Sequence, residues 1–341
     1  MHNSTNLNMN HTSKKDFLLL SDFDQTLSFN DSGTVLAEML GIPNFHEYVR
    51  KLADTHLVQQ GGELAYLLVH EPAFRGVRKK HLREAGKKVR LKKHIQLLST
   101  LLENIDDGSR FSFYVVSAAP QEIVESALEG IVPADHIFAS QLAFDAEERV
   151  AGVVTLRAGY GKVTILDQLR EEARVGHNHL VYVGDGSSDV HVMLHVNRLD
   201  GLTIAVSENR YLAQIAKRSV LSDDALSILV PITEEILGWS THQIRALFER
   251  HGFILREWEK VQTDTLSIVS AAQETETRSS ITVPPVVEVD PHEPTASAQV
   301  PDTRDVLPSP NPRLPRPTRA EKNSAETDRA VEPVRAQGNR T

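Results

Sequence analysis

Two pairs of aspartates have spacings that suit the binding of a divalent cation. Asp22 and Asp24 directly follow a short apolar run, and alternate residues of an extended segment point to the same side. Asp185 and Asp189 follow a second apolar run, after a glycine that permits a tight turn. Each pair alone would also suit a surface turn or a helix cap. Together they predict a Mg²⁺ site, because Mg²⁺ binds proteins through a few carboxylates together with a phosphate.

Ser117 and Lys162 are of residue types that can contact a phosphate. Ser117 ends a third apolar run, where its hydroxyl could donate a hydrogen bond to a phosphate oxygen. Lys162 opens a helix-like segment, and its ammonium would stabilise anionic oxygens if the segment lay beside the aspartates. Taken singly, Ser117 is more typical of a cap and Lys162 of a solvated surface, so both predictions depend on the elements that position them.

The elements that must position these residues alternate in kind along the chain. The apolar runs are typical of buried strands, and they are Phe17–Ser21, Phe113–Val116 and Leu180–Val183. Helix-like segments follow the loops, at Pro120–Leu128, Lys162–Arg174 and Ser188–Val196. This alternation predicts an α/β fold with parallel strands, in which functional residues gather at the carboxyl ends of the strands.

The four groups of residues together resemble the motifs of the haloacid dehalogenase-like hydrolase superfamily. The matching residues, in the family's order, are Asp22-x-Asp24-x-Thr26, Ser117, Lys162 and Gly184-Asp185-Gly186-Ser187-Ser188-Asp189. The resemblance covers about residues 17–220. The segment Phe138–Asp145, followed by Gly152, is similar to the phosphoserine-phosphatase-like branch. The resemblance implies a Rossmann-like parallel sheet with a helical C1-type cap inserted after the first strand.

The resemblance also implies roles for the motif residues. Asp22 would be the nucleophile that forms an aspartyl-phosphate, and Asp24 would protonate the leaving alkoxide and then activate water. A halide needs no such acid, so Asp24 favours phosphoryl transfer over dehalogenation. Mg²⁺ would be held by Asp22, Asp185 and the Asp24 backbone carbonyl, with Asp189 supporting it directly or through water. The residues that would hold the phosphoryl oxygens are Thr26, Ser117 and Lys162.

The spacing of the motifs predicts an inserted domain before Ser117. Asp24 lies 93 residues before Ser117, whereas Lys162 lies only 45 residues after it. The longer gap leaves room for a helical cap that closes over the site and excludes water. The predicted division is a polar tail at 1–15, a catalytic core at 16–29 and 96–224, the cap at 30–95, an extension packing on the core at 225–270 and a disordered tail at 271–341.

The predicted cap supplies the candidates for substrate contact. Residues 75–94 contain ten Lys or Arg and one acid, a charge that suits either capture of a polyanionic substrate or a solvated helix face. Within this basic stretch the candidates are Arg75, Arg78 and Arg83. Asp31 could face the substrate or cap the next helix. Glu38 could contact a cationic group or serve packing at the surface.

The residues after the first motif depart from the serine-specific pattern of the family. Gln25 replaces the serine that is common there, and the segment Asn30–Gly33 lacks the expected glutamate. The chain looks closer to relatives that act on phosphocholine, phosphoethanolamine or sugar-like phosphates. The sequence therefore predicts a small phosphorylated metabolite as substrate but does not name it.

Composition narrows the remaining classes of function. Of the 341 residues, 40% are hydrophobic and 24% charged, as in ordinary globular proteins. The net charge of −9 argues against a nucleic-acid partner, and the lack of cysteine excludes disulfides and thiolate catalysis. The apolar runs are too short to cross a membrane, and residues 1–15 contain no apolar signal region, so we expect no membrane association and a cytoplasmic location.

The predicted tail at residues 271–341 contains 11 of the 16 prolines and no Phe, Trp or Tyr. This composition predicts disorder, and the alternative is that the tail docks a partner. The extension at 225–270 would pack on the core or mediate self-association as a homodimer. For the whole chain we expect a Mg²⁺-dependent phosphatase acting on a small phosphomonoester. The alternatives are a phosphotransferase with the same intermediate and a non-catalytic interaction protein on the same scaffold.

Overall fold

A computed structural model describes the backbone at residues 14–55, 58–105, 108–260 and 263–270, and the side chains within these ranges up to residue 256. The predicted disordered tail at 271–341 lies outside the described residues, as does most of the predicted polar tail at 1–15. The first strand already begins at Lys15, one residue inside that predicted tail.

In the part of the chain that the structure describes, nine strands form one sheet. They are β1 (Lys15–Ser21), β2 (Ser109–Pro120), β3 (Ile137–Phe144), β4 (Val150–Thr155), β5 (Leu180–Gly184), β6 (Leu202–Ala205), β7 (Arg218–Leu221), β8 (Phe253–Lys260) and β9 (Thr263–Ser270). Their order is β4-β3-β2-β1-β5-β6-β7-β9-β8. The seven inner strands of this order, which begin with β3 and end with β9, run parallel to one another. β4 at one edge and β8 at the other each pair antiparallel with their neighbour. The expected α/β fold with a largely parallel sheet is confirmed.

Eleven α-helices connect the strands in the described part of the chain. Five lie between β1 and β2: α1 (Ser32–Leu40), α2 (Phe45–Asp54), α3 (Glu63–His70), α4 (Lys79–Lys88) and α5 (Ile95–Glu103). The others are α6 (Gln121–Ala127), α7 (Tyr160–Ala173), α8 (Val190–Arg198), α9 (Arg210–Ile215), α10 (Leu229–Glu235) and α11 (Thr241–Arg250). None of the helices in these described ranges combines the length and the apolar character that crossing a bilayer requires.

Residues 17–20 of β1 form an uninterrupted apolar run because the strand packs against hydrophobic clusters on both of its faces. Phe17 and Leu19 pack in one hydrophobic cluster, whereas Leu18 and Leu20 pack in a second cluster. Alternate residues of a strand point to opposite faces, so both faces of the sheet are covered at β1. All four side chains are almost fully buried. The strand is thereby fixed along its length up to its carboxyl end, where Asp22 follows.

The insert between β1 and β2 is helical over much of its length, and it packs on the rest of the molecule at α4. Gly86 of α4 lies so close to the Ile123 carbonyl of α6 that a side chain there would overlap it. The proposed cap at residues 30–95 contains α1 to α4, while α5 adjoins β2. The structure gives the helices of this segment, but the boundaries predicted for the cap, residues 30 and 95, stay a prediction.

Candidate active site

The carboxyl ends of β1 and β5 bring the two acidic motifs together. Ser21 is the register partner of Val183, and the Asp22 N–H donates to the Val183 carbonyl oxygen at 2.9 Å. Parallel pairing places both strand ends at one edge of the sheet. Carboxylate oxygens of Asp22, Asp185 and Asp189 consequently lie within 4.8 Å of one another.

Lys162 is buried at the centre of this cluster. Its Nζ donates to Asp189 Oδ1 at 2.6 Å, to Asp22 Oδ1 at 2.9 Å and to Ser188 Oγ at 3.3 Å. Burial alone would favour the neutral amine, but Asp189 and Asp22 outweigh it and hold the pKa of Lys162 above its ordinary value. The ammonium therefore contacts three protein partners, and its ion pair with Asp22 helps to hold that carboxylate in place.

Asp189 has no oxygen without a donor. Its Oδ1 accepts from Lys162 and, at 2.6 Å, from the Tyr182 hydroxyl. Its Oδ2 accepts from the backbone N–H groups of Asp185 and Gly186, both at 3.1 Å. These four bonds tie the loop after β5 to the buried lysine. The geometry thus favours the indirect form of the metal role predicted for Asp189, in which it positions Asp185.

The carboxylates of Asp22 and Asp185 carry more negative charge than Lys162 balances. Burial raises the pKa of Asp22, as does the charge of Asp189, and Lys162 offsets only part of this. Burial followed by the charges of Asp22 and Asp189 raises the pKa of Asp185. A buried carboxylate in this position is stabilised by a cation. Asp22 and Asp185 therefore fit a divalent cation, which carboxylate oxygen ligands suit.

Asp24 is held by the start of α1. Its carboxylate accepts from the Ser32 N–H at 2.9 Å and from the Ser32 hydroxyl at 2.8 Å. Burial, and after it the charge of Asp31, raises the pKa of Asp24 well above its ordinary value. A carboxyl group with a raised pKa can carry a proton near neutral pH, as a general acid must. Ser32 was not among the residues predicted from sequence.

The two hydroxyl residues predicted to contact phosphate differ in where they lie. Ser117 is buried at the end of the straight part of β2, lines the same cavity as Asp22 and accepts from the Ala119 N–H at 3.1 Å. Thr26 donates its hydroxyl hydrogen to Asp185 Oδ1 at 3.1 Å. Thr26 thus orients a predicted metal ligand, whereas Ser117 is placed beside the space that a phosphoryl group would occupy.

A cavity of about 430 Å³ opens above these residues. Its floor includes Asp22, Asp24, Ser117 and Asp185, and residues of α2 and of the turn before α3 cover it. The covering residues include Phe45, His46, Val49, Ala53, Gln60, Gly61, Glu63 and Leu64. Gly61 contacts the floor loops so closely that a Cβ there would lie 2.8 Å from Ser188 Cβ. The insert therefore closes over the acidic site.

Of the five cap residues predicted to contact substrate, Asp31 lines this cavity and the other four do not. Asp31 lines it and also caps α1, with Oδ1 accepting from the Thr34 N–H at 2.8 Å, so both predicted roles are compatible with its position. Glu38, Arg75 and Arg78 are exposed and are not among its lining residues. Arg83 lines a different cavity, beside Glu122 of α6.

Besides Ser32, sequence reasoning missed three further residues near the site. Glu63 and Phe45 line the cavity from helices whose packing the sequence does not reveal. Lys92 lies near Asp185: burial lowers the pKa of Lys92, while the charges of Asp185 and Asp223 oppose that shift. Lys92 belongs to the basic stretch that sequence analysis singled out, but its nearness to Asp185 depends on how the chain re-enters the core after α4.

Comparisons with known proteins agree with this geometry. The family model for haloacid dehalogenase-like hydrolases matches residues 19–194, more than half of the chain. The chain belongs to the haloacid dehalogenase-like hydrolase family. A search of the curated proteins finds no match.

Solved structures show the same fold at low sequence identity. A substrate-bound phosphoserine phosphatase complex is 21% identical with a TM-score of 0.52, and a phospho-aspartyl intermediate analogue of phosphoserine phosphatase is 21% identical with a TM-score of 0.51. Each alignment covers 63% of this chain and 98% of the other. A gene product from Archaeoglobus fulgidus is 13% identical with a TM-score of 0.51, over 75% of this chain and 91% of that one.

Proposed function

We propose that this hydrolase is a Mg²⁺-dependent phosphomonoesterase that cleaves a small phosphorylated metabolite through an aspartyl-phosphate on Asp22. The observation that carries the proposal is the buried contact of Lys162 with Asp22 at 2.9 Å, beside Asp185 and beneath a cavity that residues of α2 and of the turn before α3 partly cover. It fixes a carboxylate where a phosphorus atom can approach. The similar phosphoserine phosphatase described as a phospho-aspartyl intermediate analogue supports the same chemistry on this fold.

Asp22 and Asp185 would hold the cation, together with the backbone carbonyl of Asp24. When bound, Mg²⁺ supplies positive charge that stabilises the phosphoryl oxygens and keeps the nearby carboxylates ionised. Thr26 and Asp189 orient Asp185 for this role through the hydrogen bonds described above. Ser117 is the residue we propose as a direct contact to a phosphoryl oxygen.

The first step forms a bond between a carboxylate oxygen of Asp22 and phosphorus, while the bond from phosphorus to the ester oxygen breaks. Both the Phe23 N–H, at 2.7 Å, and Lys162 donate to Oδ1 of Asp22, so the orientation of the nucleophile is set before substrate binds. Such preorganisation lowers the barrier because little rearrangement is needed during reaction. The raised pKa of Asp24 suits it to give the departing alkoxide its proton.

The second step releases inorganic phosphate. Asp24, now a carboxylate, takes a proton from a water molecule, whose oxygen bonds to phosphorus as the bond from phosphorus to Asp22 breaks. Asp22 and the proton on Asp24 are thereby restored. Residues of α2 and the Gly61 turn cover the cavity and limit entry of bulk water.

Phosphate release from a panel of phosphomonoesters tests the proposal. The panel contains p-nitrophenyl phosphate, phosphoserine, phosphocholine, phosphoethanolamine and a sugar phosphate, each assayed with Mg²⁺ and with EDTA. We expect release by the wild type with Mg²⁺, and a loss of at least 10²-fold with EDTA or in Asp22→Asn. Asp54→Asn, at an exposed aspartate of α2, is the matched control and should retain wild-type activity.

Release by Asp22→Asn at the wild-type rate would refute Asp22 as nucleophile. Absence of release from every ester by folded wild-type protein would refute the phosphatase proposal. Adding alcohols to the assay separates hydrolysis from transfer: formation of a new phosphate ester in place of inorganic phosphate would show a phosphotransferase.

A further inference from the structure

Besides the aspartates of the two acidic motifs, the cavity lining contains two carboxyl groups, on Asp31 and Glu63. Glu63, the first residue of α3, lines the cavity and is half-buried, and its Oε2 accepts from the Gly61 N–H at 2.8 Å. Asp31 lines the same cavity at the start of α1. Within the described residues, neither carboxylate forms an ion pair with a lysine, arginine or histidine.

The two carboxyl groups influence each other electrostatically. Burial raises the pKa of Glu63, the hydrogen bond from Gly61 opposes the shift, and the negative charge of Asp31 adds to it. Burying a carboxylate without a cation is unfavourable, and a second carboxylate nearby makes it more so. A positively charged group entering the cavity would relieve both effects. The hydrogen bond from Gly61 meanwhile holds the Glu63 carboxylate in place.

The aromatic ring of Phe45 lies near the Asp31 carboxylate. A Cβ built on Gly33 would lie 2.7 Å from Cζ of Phe45 and 3.1 Å from Oδ1 of Asp31, so ring and carboxylate are neighbours. Val49 and Leu64 extend the apolar wall from α2 and α3. An aromatic ring and apolar groups next to carboxylates suit an ammonium that carries alkyl groups or a short alkyl chain, because such a cation is weakly hydrated.

The cavity lacks a group that would receive a carboxylate on the substrate. No lysine or arginine is among its described lining residues, and His46 is the single imidazole among them. Lys162, which contacts Asp22 at the floor, is already in contact with three protein partners. A substrate carboxylate would therefore meet Asp31 and Glu63, and like charges in a partly buried site repel strongly.

From this arrangement we infer that the substrate is a phosphomonoester of an amino alcohol without a carboxylate, and that Glu63 selects it by contacting its ammonium group. The inference rests on the proposed phosphatase function and adds the class of its substrate. Glu63 is a specificity residue and takes no part in the transfer of the phosphoryl group. Asp31 and Phe45 complete the ammonium site.

A pair of esters of equal shape isolates the charge. Phosphocholine and 3,3-dimethylbutyl phosphate differ only in the replacement of the quaternary nitrogen by carbon. We expect the wild type to have at least tenfold higher kcat/KM for phosphocholine, a ratio equivalent to about 1.4 kcal/mol. Phosphoserine should be a poorer substrate than phosphoethanolamine, which lacks its carboxylate. Glu63→Gln should lower the ratio of kcat/KM for phosphocholine to kcat/KM for 3,3-dimethylbutyl phosphate about tenfold.

Two controls separate the possible failures. Glu47→Gln, an exposed glutamate of α2, should keep the wild-type ratio. If Glu63→Gln does not fold, inhibition of wild-type hydrolysis of p-nitrophenyl phosphate by choline and by 3,3-dimethylbutanol tests the same charge preference, and choline should inhibit more strongly. Equal kcat/KM for the two esters, equal inhibition by the two alcohols, or an unchanged ratio in a folded Glu63→Gln would overturn the inference. If the wild type hydrolyses neither these esters nor p-nitrophenyl phosphate, the phosphatase function itself fails.

Discussion

At the residue scale, the acidic site buries several carboxylates, and the positive charge of Lys162 balances only part of their negative charge. Lys162 contacts two aspartates from different motifs, and Asp189 links it to the backbone of the next loop. Removing one member of such a buried set leaves the others uncompensated, which costs more than an exposed ion pair contributes. The remaining negative charge falls on Asp22 and Asp185, where the proposed cation would bind.

Asp24→Asn should separate the two chemical steps. The p-nitrophenolate ion leaves without needing a proton, so the variant should still form the aspartyl-phosphate from p-nitrophenyl phosphate. It cannot activate water, so we expect turnover to fall 10²- to 10⁴-fold after the first phosphoryl transfer. Stopped-flow measurement should show a burst of about one p-nitrophenol per protein. A uniform slowing without a burst would contradict the role of Asp24 as general base.

The preference for a cationic ester should depend on pH through Glu63. Burial raises the pKa of Glu63, so its carboxylate forms at a higher pH than that of an exposed glutamate. The ratio of kcat/KM for phosphocholine to that for 3,3-dimethylbutyl phosphate should therefore increase with pH and then level off. Ionisation of the phosphate and of the catalytic groups affects kcat/KM for both esters alike, so its effect cancels in the ratio. A ratio that Glu63→Gln leaves equally pH-dependent would contradict this assignment.

At the scale of elements, the short turn before α3 connects the insert to the catalytic loops. Gly61 has a φ of +90°, and a Cβ there would lie 2.8 Å from Ser188 Cβ and 3.3 Å from Ala158 Cβ. Its N–H also holds Glu63. Gly61 therefore helps both to cover the cavity and to hold Glu63 at the proposed ammonium site. Only glycine fits the backbone angle and the space at this position.

Gly61→Ala should weaken catalysis more than it weakens the fold. The added methyl group pushes the turn away from Ser188, opening the cavity and displacing Glu63, so we expect kcat/KM for phosphocholine to fall about tenfold or more. Gly76→Ala is the control, since no atom lies within 4 Å of the Cβ position there. Steady-state kinetics and thermal melting of both variants check the prediction, and an unchanged kcat/KM in Gly61→Ala would argue against closure at this turn.

At the scale of the whole molecule, every residue given a catalytic or substrate role lies within the described ranges before residue 190. Deletion of residues 271–341 should therefore leave kcat/KM within about twofold of the full chain, since no proposed contact is removed. The comparison requires both proteins to show the same thermal transition. Loss of phosphate release from a folded, truncated protein would mean that the deleted residues contribute to the reaction.

Sequence patterns predicted those elements whose structure depends on the residues of a single segment. The strand before Asp22 was recognisable because both of its faces are buried, which gives an unbroken apolar run. β2 extends beyond its predicted span, from Ser109 to Pro120. Pairing with β1 recruits polar residues such as Ser109 and Arg110 at its start, and Pro120 at its end pairs with Ser140 of β3. Pairing of this kind depends on the neighbouring strand and is invisible in the pattern of one segment.

The parts of the site that the sequence did not reveal depend on long-range packing. Lys162 and Asp189 are 27 residues apart, and nothing in either segment encodes their contact at 2.6 Å. Motif resemblance brought them into one site, and the phosphate contact that it implies for Lys162 stays a prediction. Glu63 enters the cavity only because α2 and α3 fold over the sheet, so it had no local signal.

The most direct test of the central claim is to look for phosphate bound to Asp22. Wild-type protein is mixed with a ³²P-labelled phosphomonoester and Mg²⁺ and quenched in acid during turnover, and the label on protein is measured before and after hydroxylamine. The account predicts a hydroxylamine-labile label on the peptide that contains Asp22, and none on Asp22→Asn. A label on another residue, or undiminished labelling of Asp22→Asn, would contradict it.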